Sequence, residues 1–322
     1  MSDCILSIIV PSKTADAPDL KRFLESVRRQ SLPKDQYEVL VITEGNSEQA
    51  KAIGIQRARG RFIGLFCADN VLLDESLFVQ ALYVLKGYKE VVGCYTARYA
   101  HVAGDTPLSR YFALLGANDP LCWWLGKADR QSYLAPPRFG VLEVNGTVPS
   151  IGCNGFFVRA ELMKQHVTDP NRHFPMDAVV DLVQAGYNTF YILPSHVWHR
   201  SGEGVVDYFR RRYRYARDLY FKQHTKRRWH MVEKRDWPAV LAFALLSLCG
   251  VPHVWTSIRG YRKVRDWAWF LHAPVCFTLT LLYGGCLLRW GLASQLSFLR
   301  SGGRKSSQPV WQPSESSPSH AR

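Results

Sequence analysis

The sequence predicts an α/β fold, a mostly parallel sheet covered by helices in a Rossmann-like arrangement, followed by a C-terminal helical pair. Three observations carry this expectation. Over the first 100 residues, short apolar runs rich in Val and Ile alternate with segments of helical periodicity, the pattern of strands joined by helical crossovers. The strand runs are apolar throughout rather than at every second position, so both faces of the sheet are expected to be covered. From Ser201 onward the composition changes to 20 Lys+Arg against 7 Asp+Glu, whereas the preceding residues hold 21 against 20.

The elements follow in order. "ILSIIVPS" (5–12) reads as a strand stopped by Pro11, and "PDLKRFLESVRRQ" sets Leu20, Phe23, Leu24 and Val27 on one helical face. "YEVLVITEG" (37–45) is the second strand, and "SEQAKAIGIQRARG" is a helix closed by Gly60. "RFIGLFCADN" is the third strand, "DESLFVQALYVLKG" a helix with Asp74 as its cap, and "VVGCYTARY" (91–99) the fourth strand. Ser12, Thr43-Glu44 and Asp69-Asn70 fall at carboxyl ends of strands, where such sheets bind ligands. Those clusters define an expected site.

Several classes are excluded. There is no GxxxxGK[ST] and no GxGxxG after the first strand, which removes a P-loop and makes a dinucleotide fold unexpected. The eight cysteines are scattered with no CxxC pair, arguing against zinc and disulfide frameworks and for a reducing compartment. "MSDCILSIIVP" has no basic n-region, so synthesis into the cytosol is expected.

An ordered set of motifs adds to this reading. "SIIVPS" is followed by Thr43-Glu44, then "KAIGIQRARGRFI", then Cys67-Ala68-Asp69 ending the third strand. "GCNGFFVRAEL" (152–162), "MDAVVDLVQAGYNTFYILP" and "HVWHRSGEGVVDYFRRRYRYARDLYF" complete it. Over residues 5–222 this order resembles family-2 nucleotide-sugar glycosyltransferases of the GT-A fold. The resemblance implies an inverting transfer from a UDP- or GDP-sugar with Mg²⁺ or Mn²⁺. It implies donor contacts from Pro11, Ser12, Glu44, Lys51, Asp69, Arg211 and Arg214, and metal contacts from Asp69 and His199. Its catalytic base would be Asp177, with Asp181 one turn later. Arg210, Arg211, Arg214 and Arg217 lie at spacings that let two or three face the leaving diphosphate. The chain departs from the family pattern at Cys67 for the first acid of Asp-x-Asp, at Thr43, at Ala52 for the usual Asn, and in lacking a Glu-Asp pair at the base.

Residues 99–149 are rich in aromatics and correspond to the family's acceptor-side insertion, with Ala117–Pro120 as a turn and Trp123-Trp124 as core or acceptor surface. Trp237–Ile258 and Trp267–Leu288 are each 22 residues without Asp, Glu, Lys or Arg, flanked by tryptophans. A spanning hairpin, a re-entrant or in-plane pair, and two buried helices all fit them. The expected domains are therefore a catalytic unit over 1–225, a basic membrane-associated helical pair over 226–300 and a disordered Ser/Pro-rich tail over 301–322. The expected function is hexosyl transfer to a lipid-linked or polyprenyl-phosphate acceptor at the cytosolic face of the cytoplasmic membrane, in polysaccharide biosynthesis. The competing reading is a non-catalytic subunit with a decayed Asp-x-Asp. Nucleic acid is not an expected partner, because phospholipid headgroups are the anions nearest these basic residues.

Overall fold

The computed structural model describes residues 4–166, 173–200, 204–222 and 226–291. The expected tail over 301–322, and 292–300 of the expected helical pair, lie outside them.

The chain runs β1 (Leu6–Pro11), α1 (Pro18–Arg28), β2 (Tyr37–Ile42), α2 (Ser47–Arg57), β3 (Phe62–Leu65), β4 (Asn70–Leu72), α3 (Leu77–Gly87) and β5 (Gly93–Tyr99). It continues α4 (Pro107–Leu115), α5 (Pro120–Trp124), β6 (Gly140–Glu143), β7 (Phe156–Arg159), α6 (Ala160–His166), α7 (Pro175–Gln184), β8 (Thr189–His199) and α8 (Val205–Tyr215). Three further helices close it: α9 (Trp237–Cys249), α10 (Val251–Lys263) and α11 (His272–Cys286).

The sheet order is β2-β1-β3-β7-β5-β8-β4, with β6 on β8. β1 is parallel to β2 and β3, and β5 to β8. β7 runs antiparallel between β3 and β5, and β4 and β6 pair antiparallel with β8. The α/β class and the helical cover are as expected, but the sheet is mixed in direction: β4, β6 and β7 run against β1, β2, β3, β5 and β8. Alternate residues of β1 feed two cores: Leu6, Ile8 and Val10 pack on one face with Phe23 and Phe66, and Ile9 on the other with Ile55 and Val158.

Local chemistry explains the element ends. Asn46 caps α2 by accepting from the Glu48 and Gln49 amides, and Gln49 reaches back to the Asn46 amide. The expected role of Gly60 is corrected. Helix α2 already ends at Arg57, and Gly60 is needed because a Cβ there would lie 2.6 Å from the Ser7 backbone nitrogen of the adjacent strand.

In the helical region the two apolar runs differ in shape. The run Trp237–Ile258 breaks at Gly250, where two helices meet at 85°. Trp267–Arg289 is one helical stretch of 23 residues, long and apolar enough to cross a membrane. It is also built into the body. Trp269, Val275 and Leu279 share a core with Leu108, Tyr111, Phe112 and Tyr208, and Cys276 and Phe243 share another with Leu121, Val180 and Trp229. Trp269 is fully buried and seats on Gly260 of α10. The opposite side stays apolar and open: Leu241, Leu245 and Leu248 recur at helical spacing on α9 with exposures of 61, 59 and 54%.

Candidate functional site

A cavity of about 1510 Å³ lies beyond the carboxyl ends of β2 and β3 and reaches the C-terminal helices. Its polar end is lined by Glu48, Lys51, Cys67, Asp129, Cys153 and Arg211. Its other end is lined by Val240, Leu241 and Ala244 of α9 and Thr280, Gly284 and Leu287 at α11 and just past its end. The two ends belong to one space.

Asp69 is positioned by strand pairing. The Asn70 side chain accepts from the Cys67 amide at 2.9 Å, closing the turn after β3 and leaving Asp69 at its tip. Antiparallel pairing of β4 with β8 then sets Asn70 opposite His199. The Asp69 carboxylate lies 3.2 Å from His199 Nε2. Burial works against both charges, but the two groups outweigh it for one another: Asp69 titrates below the ordinary aspartate range and His199 above the ordinary histidine value. The His199 ring packs on Tyr99 with centroids 5.2 Å apart. Tyr99 donates its hydroxyl hydrogen to Asp129 and accepts from Asn154 Nδ2 at 2.9 Å. The Arg130 guanidinium covers the Tyr95 and Tyr99 rings at 5.4 and 5.1 Å. Asp69 and His199, 130 residues apart in the chain, are therefore neighbours, and neither is among the residues that line the cavity.

The other expected residues divide. Lys51, Arg211 and Arg214 line the cavity. Lys51 is buried and pairs with Glu48 at 3.3 Å. Pro11, Ser12 and Glu44 end their strands nearby but do not line it: the Ser12 hydroxyl donates to the Thr14 carbonyl, and Glu44 holds Arg57 through two bonds of 2.9 and 3.1 Å. Arg210 pairs with Asp207 at 3.3 Å and Arg217 with Asp218 at 2.6 Å. Sequence reasoning passed over Arg212, which is buried in the cavity wall 3.4 Å from Asp119. Asp119, expected only in a turn, caps α5 through the Leu121 amide at 2.9 Å and accepts from the Tyr283 hydroxyl. His173 was also missed. Its Nε2 is buried without a hydrogen-bond partner in the cavity wall, and burial, with Lys51 second, depresses its pKa to about 4.

The expected base is enclosed. Asp177 has no exposure, and its oxygens accept from Arg227 Nε and the Trp229 amide, both at 2.9 Å. The Arg227 guanidinium is itself stacked on Phe174 at 3.8 Å. The carboxylate ties α7 to the 226–232 segment and is not among the residues that line the cavity. Its runner-up, Asp181, is ion-paired with Arg228 and also stands outside the cavity lining. At position 177 an acid opening a helix marks both roles equally in sequence; only the Arg227 partner, 50 residues on, separates them.

No protein-family model matches the chain, and no curated protein does. Solved structures do. S. aureus TarS superimposes with a TM-score of 0.42 at 14% identity over 69% of this chain, which spans 41% of that TarS chain. TarS 1-349 in complex with UDP-GlcNAc gives 0.41 at 13% identity, covering 89% of this chain and 92% of that one. The mannosyltransferase PcManGT of Pyrobaculum calidifontis, in complex with GDP-Man and Mn²⁺, gives 0.43 at 15% identity over 92% and 79%. Likeness at this level carries no argument about activity, which rests on the chain's own residues.

Proposed function

We propose that the protein is an inverting glycosyltransferase that moves a hexosyl group from a UDP- or GDP-sugar to a lipid phosphate such as a polyprenyl phosphate, in polysaccharide biosynthesis at the cytosolic face of the membrane. The observation that carries this reading is the single cavity, cationic and polar against the sheet and apolar against α9 and α11. A nucleoside diphosphate matches the first end and a hydrocarbon chain the second. The ordered motifs over 5–222 supply the donor class.

Lys51, Arg211 and Arg214 meet the charge that grows on the departing diphosphate. Asp69 and His199 would hold a divalent cation: 3.2 Å between their donor atoms suits adjacent positions on an ion with bonds of about 2.1 Å, and an imidazole ligand favours Mn²⁺ over Mg²⁺. When bound, that ion neutralises diphosphate charge. The acceptor end explains why a sealed Asp177 is tolerable. A hydroxyl acceptor needs a base, whereas a phosphate oxygen is already anionic near neutral pH and attacks the anomeric carbon directly. Of the five cavity carboxylates among the described residues, Glu48 is ion-paired with Lys51, Asp119 with Arg212, Asp218 with Arg217 and Glu233 with Lys127, and the fifth, Asp129, accepts from the Tyr99 hydroxyl.

The test is nucleotide release by full-length protein in nanodiscs with Mn²⁺, polyprenyl phosphate and a panel of UDP- and GDP-sugars. Transfer that persists within about tenfold in Asp129→Asn supports a phosphate acceptor, since losing a needed base costs roughly 10²–10⁴-fold. Neither turnover nor metal-dependent nucleotide binding with any donor would establish the non-catalytic subunit instead.

A further inference from the structure

The polar end of the cavity contains two thiols in contact that sugar transfer does not use. Cys67 stands in the turn between β3 and β4, Cys153 in the turn entering β7, and their sulfurs are 3.3 Å apart across 86 residues of chain. The second turn is rigidly set. Gly152, Asn154 and Gly155 have φ of +132°, +55° and +87°, and a Cβ on Gly152 would lie 2.8 Å from the Pro175 backbone. Arg130 donates to the Cys153 and Asn154 carbonyls from within the core. Cys153 is thus held facing Cys67 rather than passing near it.

Lys51 completes the group. Burial opposes its charge, yet Cys153, Glu48 and Cys67 raise its pKa above the ordinary lysine value. Hydrogen bonding between the two sulfurs and the nearby Lys51 ammonium, against burial, hold the Cys153 thiol down to about 7. Cys153 is therefore the sulfur placed to react as a thiolate, with Cys67 in contact to resolve it. Both line the cavity, so a small oxidant has a route to them.

We propose that Cys67 and Cys153 form an oxidisable dithiol, a modification site at the donor end of the cavity that hydroperoxides close to a disulfide. The Cys153 thiolate attacks one peroxide oxygen, the O–O bond breaks, and a sulfenic acid and hydroxide result, the latter leaving as water. The Cys67 sulfur, giving up its proton, then attacks the Cys153 sulfur and expels a second water. Two thiols and one hydrogen peroxide become one disulfide and two waters. A disulfide needs about 2.05 Å between sulfurs, so the turns must close by about 1.2 Å. The moving turn carries Asp69, and its carboxylate is drawn out of register with His199. That consequence rests on the donor site proposed above; the thiol chemistry does not.

The experiment treats full-length protein in detergent with hydrogen peroxide and maps its peptides without reductant. The expected product is a Cys67–Cys153 linked peptide, lighter by two hydrogens and reversed by dithiothreitol, with the exposed Cys249 unlinked. Iodoacetamide labelling of Cys153 should rise with pH about a midpoint near 7, and Cys67→Ser should stall oxidation at a Cys153 sulfenic acid trapped by dimedone. Mn²⁺-dependent UDP or GDP binding should fall on oxidation and return on reduction, with turnover down about 10²-fold for a displacement near 1 Å. Over-oxidation of Cys153 with Cys67 left alkylatable would overturn the proposal, as would stoichiometric zinc or copper on the pair in purified protein. A linked peptide from a protein that binds neither nucleotide in either state would sink the donor reading while leaving the dithiol standing.

Discussion

Replacing Asp177 by Asn distinguishes a clamp from a base, because the two roles predict opposite readouts. The Asn oxygen can still accept from the Trp229 amide, but its NH₂ would then face Arg227 Nε–H, donor against donor. Arg227 has only 5% side-chain exposure, so water does not replace the lost carboxylate. Breaking a buried pair costs about 3–5 kcal/mol, and the Phe174 ring against the guanidinium keeps the expected cost near the lower figure. With about 2 cal/mol/K of unfolding entropy per residue, a chain of this size should lose about 5 °C in Tm. The assay is thermal unfolding in detergent beside turnover per folded molecule, and the clamp predicts a lowered Tm with turnover changed less than tenfold. An unchanged Tm with turnover down 10²–10⁴-fold would refute the clamp and restore Asp177 as the base.

Asp69→Ala should abolish metal-dependent nucleotide binding measured by calorimetry while leaving Tm within about 2 °C, since partly exposed polar sites contribute little to stability. His173 contributes to acid sensitivity. Its folded pKa, depressed to about 4 by burial, lies below the unfolded value of 6.5, so its stabilisation is complete above pH 6.5 and is lost as pH falls through about 4. The loss amounts to about 3 kcal/mol, and denaturation at pH 7 and 4.5 should show a smaller pH effect in His173→Gln. Leu245→Glu with Leu248→Glu places two carboxylates on the exposed stripe of α9 and should shift protein from carbonate-resistant to carbonate-extractable membranes. Continued resistance would place the contact elsewhere.

The fold was largely legible because its signals are local. Leu20, Phe23 and Val27 lie buried along α1 as their spacing requires, and the apolar strands are covered on both faces. The direction of β7 was not legible, since an apolar strand reads the same both ways and only its partners on either side assign it. The place and angle of the break in the first apolar run were not legible for a related reason. Composition counts residues without charge, whereas the break depends on Gly250 adopting φ +78° in one backbone unit. Truncation before α9, a natural test of membrane attachment from sequence, would also remove Trp269, Val275 and Leu279 from a core shared with the body.

The site shows a sharper division between what spacing carries and what only contact carries. Asp69 was named because it closes a strand, where such sheets bind ligands, and His199 because the ordered motifs imply it; the β4–β8 register brings them within 3.2 Å. Asp177 was named on the same kind of signal, an acid opening a helix, and that signal is indifferent to whether an arginine from a distant segment closes over it. Cys67 is the reverse case. Read alone it is a missing acid, a soft sulfur where a hard ion would want oxygen. Beside Cys153, 3.3 Å away, and the buried Lys51 it is one half of a preorganised thiol pair, and an acid, Asp69, still stands two residues later. A substitution that looks like decay along the chain can thus be a second chemistry in the fold, and mapping the oxidised peptides decides between them without any assay of sugar transfer.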